Sequence, residues 1–328
     1  MEQQAAYTSV AGALVFWAYI VAALIFTRVC INTIRTATVV KQNTSSSQTL
    51  FAILALISFS MLSFYMVNVL ILSYQQWSYR YSVPLPFCIS DPGCLIGSHA
   101  ATLHLWQWST TSTLFQDFGE ALVETPGRWC WSNAALALTY INVAFICSKG
   151  RQARIPNLWA FVALAEILPI SFAQNLFYLA LLGSTSNKNN TKLGSSWIWL
   201  LSGLGYILCL LVAPNSGQSL ISIVLVARLL LALPLSMPVY PSNGDITITA
   251  GLPRLSFSIF GILSLVTFVT LAWASQIQSL TTISKELNSH PAVSALGYDF
   301  IVSCMSWALW FAAGTGDSAA VTYVSKHD

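Results

Sequence analysis

Charged residues are scarce in this chain. Only 8% of its 328 residues are Asp, Glu, Lys or Arg, whereas 55% are hydrophobic. Soluble domains usually carry about 25% charged residues. A chain so poor in charge cannot cover a soluble surface, so the composition predicts a protein with several membrane spans. The net charge of +3 is too small to indicate a nucleic-acid partner.

Several catalytic and cofactor motifs are missing as well. There is no DDxxD-like pair of acidic clusters to hold magnesium and a diphosphate, which argues against ionisation of a prenyl diphosphate. The four histidines are too few for the histidine boxes of a membrane di-iron oxygenase, and no zinc-ligand spacing occurs. No lysine lies inside a predicted span, which excludes a retinal Schiff base. The sequence therefore predicts neither a metal nor a cofactor.

Hydropathy predicts a single all-α membrane domain over residues 1–328, a bundle of about eight transmembrane helices. Each apolar stretch has about 17 to 28 residues, enough to cross a bilayer core. The stretches run from Tyr7 to Val29, Leu50 to Ser73, Trp131 to Cys147, Pro156 to Leu182, Ser196 to Ala213, Ser219 to Met237, Leu255 to Gln276 and Val293 to Ala313. The first stretch lacks a basic leader, so we expect a retained span rather than a signal peptide.

The distribution of basic residues predicts the orientation of these spans. Seven of the 14 lysines and arginines lie in the first, third and seventh loops: Arg28, Arg35, Lys41, Lys149, Arg151, Arg154 and Lys285. The opposite side has Lys188, Lys192, Arg254 and Lys326 near its spans, and Arg80 and Arg128 in a long loop. By the positive-inside rule the first, third and seventh loops are cytoplasmic and both termini are lumenal. We therefore expect a multi-pass protein of the endoplasmic reticulum membrane.

Two further features depend on this topology. Sequons at Asn43 and Asn189 lie in loops on opposite faces, and only Asn189 is predicted to be lumenal and glycosylated. Cys88 and Cys94 flank the turn sequence ISDPG in a predicted lumenal loop, where a disulfide and two free thiols are equally open alternatives.

The long second loop, from Tyr74 to Trp129, contains the amphipathic segment STLFQDFGEALVET. Asp117, Glu120 and Glu124 recur at i, i+3 and i+7 on one helical face, beside an apolar face. One interpretation is an interfacial helix whose charges lie in water. The other is a lid that presents Asp117 and Glu120 as acids to the mouth of a cavity.

Polar groups converge on the fourth predicted span, FVALAEILPISFAQNLFYLAL. Glu166 lies well inside it, and Gln174 and Asn175 follow two turns later. Pro169 removes one helix hydrogen bond, an irregularity that membranes tolerate where the backbone lines a cavity or is buried in protein. The pattern predicts an acid-bearing cavity, and the alternative is a protonated Glu166 in one interhelical hydrogen bond.

A polar stripe marks one face of the last span, where four residues recur at i, i+4, i+7 and i+11: Asp299, Ser303, Ser306 and Trp310. A carboxylate in hydrocarbon costs about 2.5 to 3.5 kcal/mol on insertion scales. We expect Asp299, at the predicted mouth of this helix, to supply the initiating proton or to hold the group that does, with Ser303 and Ser306 orienting its carboxyl and a substrate oxygen. The alternative is a packing seam of small residues with an acid on the helix dipole.

One arginine, Arg228, lies inside the sixth predicted span. We expect it to pair with Glu166 or Asp299, and a purely structural ion pair is the alternative. The chain also has 12 Trp, 12 Tyr and 17 Phe residues, and an aromatic face stabilises a cation by roughly 0.5 to 2 kcal/mol. A neutral carboxylic acid facing aromatic walls is suited to protonating an alkene or epoxide and sheltering the resulting cation.

Three stretches, FQDFGEALVETPGRWCWS, AEILPISFAQNLFYLAL and HPAVSALGYDFIVSCMSWALW, resemble the fungal integral-membrane terpene cyclases of meroterpenoid biosynthesis, of the ascofuranone and macrophorin type. The resemblance extends over about Trp106 to Trp310. It implies a metal-independent enzyme in the membrane lipid that cyclises the farnesyl chain of a prenylated aromatic or quinone-like substrate. Cyclisation would begin with protonation of a terminal epoxide or alkene.

The candidate catalytic acids are Asp299, Glu166, Glu120 and Asp117, and the candidate substrate-binding residues are Asn175, Gln174, Arg228, Ser303, Ser306 and Trp310. A second class of function also fits these features, namely a transporter or receptor whose intramembrane polar residues bind a lipophilic ligand or relay protons. Many transporters carry inverted repeats, and no repeat is visible in this sequence. The enzyme is therefore the favoured hypothesis.

Overall fold

The chain folds into an all-α helical bundle, as its hydropathy predicts. The computed structural model describes residues 10–41, 46–83, 104–167, 169–184, 191–193, 196–236, 239–241 and 280–313. The helices are α1 (Val10–Lys41), α2 (Ser46–Tyr81), α3 (Leu105–Thr111), α4 (Leu114–Val123), α5 (Pro126–Gln152), α6 (Leu158–Ile167), α7 (Ile170–Gly183), α8 (Ser196–Val212), α9 (Leu220–Ala232), α10 (Leu280–Leu287) and α11 (Pro291–Ala312). A short antiparallel ribbon pairs β1 (Thr191–Leu193) with β2 (Val239–Pro241).

Four of the described helices are long and apolar enough to cross a membrane. They are α1 over Gly12–Ala37, α2, α5 and α11, and several shorter helices are also strongly apolar. Large aliphatic side chains cover the outer faces of the bundle, for example Leu24 on α1 and Leu229 on α9, with exposed fractions of 66% and 70%. A surface of this kind suits lipid rather than water, so we treat the chain as a membrane protein.

Helices α1, α2 and α5 extend beyond their predicted spans. Helix α1 continues to Lys41, so Arg28 and Arg35 lie on a helix rather than in a loop. Helix α2 has 36 residues and reaches Tyr81. Hydropathy marks only the part of a helix that can lie in hydrocarbon, and its turns can continue past that boundary. The seventh predicted span, Leu255 to Gln276, the sequon asparagines Asn43 and Asn189, and the Cys88–Cys94 pair lie outside the described residues.

The fourth predicted span is divided into two helices. Helix α6 ends at Ile167 and α7 begins at Ile170, with Pro169 between them at φ −55° and ψ 139°. Proline has no N–H to donate, and its ring clashes with the carbonyl of the preceding turn. The extended ψ of Pro169 then turns the chain out of the helix, so the interruption is larger than the loss of one hydrogen bond.

Helix α7 lies at the centre of the bundle and packs against α1, α2, α6 and α11. All nine of its residues from Ile170 to Tyr178 are buried. An aromatic stack joins this helix to its neighbours, because the Tyr178 ring lies parallel to Trp310 at 4.3 Å and meets Phe51 edge-on at 5.0 Å between ring centroids. The interruption before Ile170 therefore lies next to a fully buried part of the core.

Candidate functional site

The N-terminus of α7 is capped by a residue from another helix. The backbone N–H of Ile170 donates to Oδ2 of Asp299 at 2.8 Å, and that of Ser171 donates to Oδ1 at 3.0 Å. The Ser171 hydroxyl also donates to Oδ1. The first N–H groups of a helix have no partner within the helix, so Asp299 of α11 does the work of an N-cap residue across the bundle.

On the other side of the interruption, a cation binds the backbone at the end of α6. The Glu166 carbonyl, which would accept from the Ile170 N–H in a continuous helix, accepts from Nη1 of Arg228 and from the Tyr19 hydroxyl. A helix carries partial positive charge at its N-terminus and partial negative charge at its C-terminus. An anion at the start of α7 and a cation at the end of α6 therefore both stabilise the divided helix.

Glu166 keeps one carboxyl oxygen free of these contacts. Its Oε2 lies 3.8 Å from Nη1 of Arg228. Its Oε1 is buried and has no hydrogen-bond partner among the described residues. Buried polar atoms are nearly always hydrogen-bonded, so a free carboxyl oxygen at this depth points to a group that binds there.

Asp299 does not lie where the sequence suggests. Helix α11 begins at Pro291, so Asp299 is about two turns inside the helix rather than at its mouth, and it is only 7% exposed. The expected roles of the two serines are not seen either. Ser303 donates to Oε1 of Gln174 at 2.5 Å, and Ser306 donates to the Val302 carbonyl at 2.9 Å. The hydroxyl that bonds the Asp299 carboxyl is that of Ser171, which also shares a hydrogen bond with Ser58.

A buried amide network joins α5, α7 and α11. Asn142 donates to Oε1 of Gln174 at 3.3 Å and to the Ser303 hydroxyl at 2.9 Å. The Trp307 indole donates to Oδ1 of Asn142 at 2.7 Å, and Nε2 of Gln174 donates to the Tyr178 hydroxyl at 2.8 Å. Gln174 and Ser303, which the sequence proposes as substrate ligands, therefore hold three helices together.

Asn175 and Trp310 differ in what they leave available. Nδ2 of Asn175 donates to the Ser171 carbonyl at 2.8 Å, whereas its Oδ1 is buried and unpartnered within the described part of the chain. Trp310 is 6% exposed and one of its faces is covered by Tyr178. Of these two candidates, Asn175 has a polar atom to offer a ligand.

The acids of α4 are bonded along their own helix. Thr113 donates to Oδ2 of Asp117 at 2.7 Å, and Gln116 donates to Oε1 of Glu120 at 2.7 Å. Glu120 is exposed, and Glu124 pairs with Arg128. The buried face of α4 is apolar, with Ala121 and Leu122. This arrangement favours an interfacial helix with its charges in water over an acid-bearing lid.

The sequence misses three residues of this site, namely Ser171, Asn142 and Tyr19. A signal exists only for Asn142, a buried amide within an apolar span, which usually makes an interhelical hydrogen bond. Among the described residues no group of three or more His, Cys, Asp or Glu side chains is placed to hold a metal ion. No family model, curated protein or solved structure matches this chain.

Proposed function

We propose that this protein is a membrane-embedded, acid-initiated terpene cyclase that acts on the farnesyl chain of a prenylated aromatic or quinone-like substrate. The observation that carries the proposal is the buried Oε1 of Glu166, which has no hydrogen-bond partner among the described residues. The same residue is tied to two other helices, because its backbone carbonyl accepts from the Tyr19 hydroxyl and from Arg228. The resemblance of three sequence stretches to membrane terpene cyclases supports the same assignment.

In the proposed reaction Glu166 gives its proton to a terminal epoxide oxygen. The carbon–oxygen bond breaks toward that oxygen, which becomes a hydroxyl, and a tertiary cation forms. Neighbouring alkene π-bonds then attack in turn to close rings, and loss of a proton from carbon ends the sequence. The Glu166 carboxylate is the group that regains a proton, so the product is an isomer of the substrate and no oxidant or reductant is consumed.

Two charged neighbours have distinct roles in this proposal. The Arg228 guanidinium, 3.8 Å from Oε2, would stabilise the carboxylate that remains once Glu166 has given its proton. Asp299 is a positioning residue, because its oxygens already accept three hydrogen bonds from the start of α7. This moves the role of proton donor from Asp299, the first choice of the sequence, to Glu166.

The proposed setting is the endoplasmic reticulum membrane. In this proposal the chain crosses it eight times, with α6 and α7 forming one crossing and the hydropathy-predicted span 255–276 forming another. Lys149, Arg151 and Arg154, around the end of α5, support a cytoplasmic location for that end. In this topology an endoglycosidase shift disappears in Asn189→Gln and persists in Asn43→Gln. The reverse result would invert the orientation.

The test of the reaction uses microsomes that contain the protein and a farnesylated phenol with a terminal epoxide. We expect a product of unchanged mass and shifted retention, formed equally well in EDTA. Glu166→Gln should lower turnover by about 10²- to 10⁴-fold, the usual contribution of a general acid. Glu120→Gln is the matched control, since the same chemical change falls on an exposed carboxyl of α4, and it should leave turnover unchanged. An absent isomer, or a fully active Glu166→Gln enzyme, would refute the proposal.

A transporter of lipophilic ligands is the second candidate, and the interruption between α6 and α7 is the observation that favours it. Transporters often bind their substrates at divided helices near the bilayer midplane. Here, however, protein groups already occupy both helix ends: Asp299 at the start of α7 and Arg228 at the end of α6. Uptake of unchanged epoxide into proteoliposomes, with no isomer formed, would establish the transporter instead.

A further inference from the structure

Helix α5 carries two buried hydrogen-bond donors that have no acceptor among the residues that the structure describes. Nε1 of Trp129 and Nδ2 of Asn133 have no hydrogen-bond partner in the described part of the chain. Their residues are 4% and 2% exposed. A buried donor left unpaired costs about 1 to 3 kcal/mol, so two such donors together are a large cost for a folded protein to keep.

The two donors lie together on the helix. Trp129 and Asn133 are four residues apart, so they lie on one face, separated by about 6 Å along the axis. The next turn on this face, at Leu136, offers its carbonyl to the Tyr206 hydroxyl at 2.9 Å. Tyr206 lies on α8 and is fully buried, with 2% exposure. Tyr140, seven residues beyond Asn133 on the same face, shares a hydrogen bond with Ser202 at 2.7 Å, so the donor pair lies on the side of α5 that packs against α8.

We propose that Trp129 and Asn133 form a binding site for a carbonyl oxygen of a lipophilic ligand, of the kind that a quinone or an aryl ketone carries. A carbonyl oxygen has two lone pairs and no hydrogen to place, so it satisfies both donors without creating a new unpaired group. A water molecule would bring two hydrogens that each need an acceptor in turn. The chemistry of the pair therefore selects an acceptor-only oxygen.

The identity of the ligand rests on the proposed function, because the carbonyl would belong to the ring end of the prenylated substrate. In that arrangement the ring is held at Trp129 and Asn133, and the farnesyl chain extends toward Glu166. Binding of the ring needs neither an epoxide nor a proton donor. A binding experiment therefore tests this site separately from the cyclase.

The experiment measures binding of farnesyl-benzoquinone, and of farnesylbenzene as its oxygen-free analogue, to the purified protein in nanodiscs. We expect the quinone to bind more tightly than the hydrocarbon. Trp129→Phe and Asn133→Leu should each weaken binding of the quinone about three- to ten-fold, the effect of one lost hydrogen bond, and should leave binding of the hydrocarbon unchanged. With a ¹³C-labelled quinone, the infrared carbonyl band should lie at lower frequency when bound to the wild-type protein and shift back in each variant.

Trp131→Phe is the matched control. Its indole N–H is satisfied by the Ile283 carbonyl at 2.8 Å, so its loss should not change binding of the quinone. The ligand-free Trp129→Phe and Asn133→Leu proteins should be at least as stable to heat as the wild type, because each change removes an unpaired donor. Equal binding of the quinone and farnesylbenzene, or full affinity for the quinone in both variants, would overturn the site. A bound quinone together with inactive microsomes would preserve this site and refute only the cyclase.

Discussion

The backbone N–H of Ile170 donates to the Asp299 carboxylate instead of to the Glu166 carbonyl. The two residues that bond the separated N–H and carbonyl come from distant parts of the chain. Asp299 lies on α11, and Arg228, which donates a hydrogen bond to the Glu166 carbonyl, lies on α9. Backbone groups in a membrane must be satisfied internally. The division of α6 from α7 is therefore a fixed element of the fold, held by one anion and one cation at the ends whose charge each complements.

Asp299→Ala should destabilise the protein strongly. The change leaves the backbone N–H groups of Ile170 and Ser171 without their acceptor, at about 1 to 3 kcal/mol each, so we expect a loss of at least about 2 kcal/mol. Thermal unfolding in detergent measures the effect. Cys304→Ala, which removes an exposed thiol from the same helix, is the control and should leave Tm unchanged. Equal Tm for Asp299→Ala and the wild type would exclude the capping role.

Local features of the fold were predictable from the sequence. The apolar runs locate the described spans because burial in lipid requires continuous hydrophobic residues, and Pro169 marks the interruption because proline cannot continue a helix. The amphipathic pattern around Phe118 predicts α4 for the same local reason. The exact helix ends were not predictable, because the turns of α1 and α2 continue past the hydrocarbon boundary.

The contacts within the site were harder to predict from the sequence. The sequence predicts that Arg228 pairs with Glu166 or Asp299, and only the packing of α9 decides for Glu166. The sequence predicts that Ser303 bonds Asp299, because both lie on one helical face. In the structure the Ser303 hydroxyl instead donates to Gln174 of α7. Ser171 could not be chosen from the sequence, because its importance depends on a residue 128 positions away.

The buried amide network should be more sensitive to substitution than the polar stripe beside it. Asn142→Leu deprives the Trp307 indole of its acceptor and Gln174 of a donor, so we expect a loss of about 1 to 3 kcal/mol. Ser306→Ala removes a hydroxyl that bonds the Val302 carbonyl one turn back, and we expect a change within about 0.5 kcal/mol. Thermal unfolding compares the two variants. An unchanged Tm for Asn142→Leu, or a raised KM for Ser306→Ala, would return the substrate-binding role to the stripe.

Acid should weaken the start of α11 through His290. Nδ1 of His290 accepts from the Ala292 N–H at 3.2 Å and caps the helix. Burial and then the nearby Arg128 lower the pKa of His290, while Glu124 acts in the opposite direction. The unfolded chain therefore takes up a proton near pH 6.5 while the folded chain does not, and the stability contributed by His290 is lost as pH falls below that value.

We expect Tm to fall between pH 7 and pH 5, and to fall less in His290→Asn. Asparagine is a good N-cap and does not titrate, so this variant keeps the hydrogen bond and removes the proton linkage. Differential scanning calorimetry at a series of pH values measures the slope of Tm against pH for both proteins. The same pH dependence in the two proteins would show that other groups set the acid sensitivity.

Arg228 should act mainly through the Glu166 backbone rather than through its carboxyl. Its Nη1 donates to the carbonyl that ends α6, whereas the carboxyl oxygen is 3.8 Å away, and an ion pair on a half-exposed arginine is worth at most about 1 kcal/mol. The carbonyl remains in Glu166→Gln. Arg228→Met should therefore cost about 1 to 3 kcal/mol in both the wild-type and the Glu166→Gln backgrounds. A double-mutant cycle by thermal unfolding should give a coupling below about 1 kcal/mol, and the distant Glu286→Gln should show none. A coupling above about 2 kcal/mol would mean that the ion pair, and not the helix end, holds Arg228 in place.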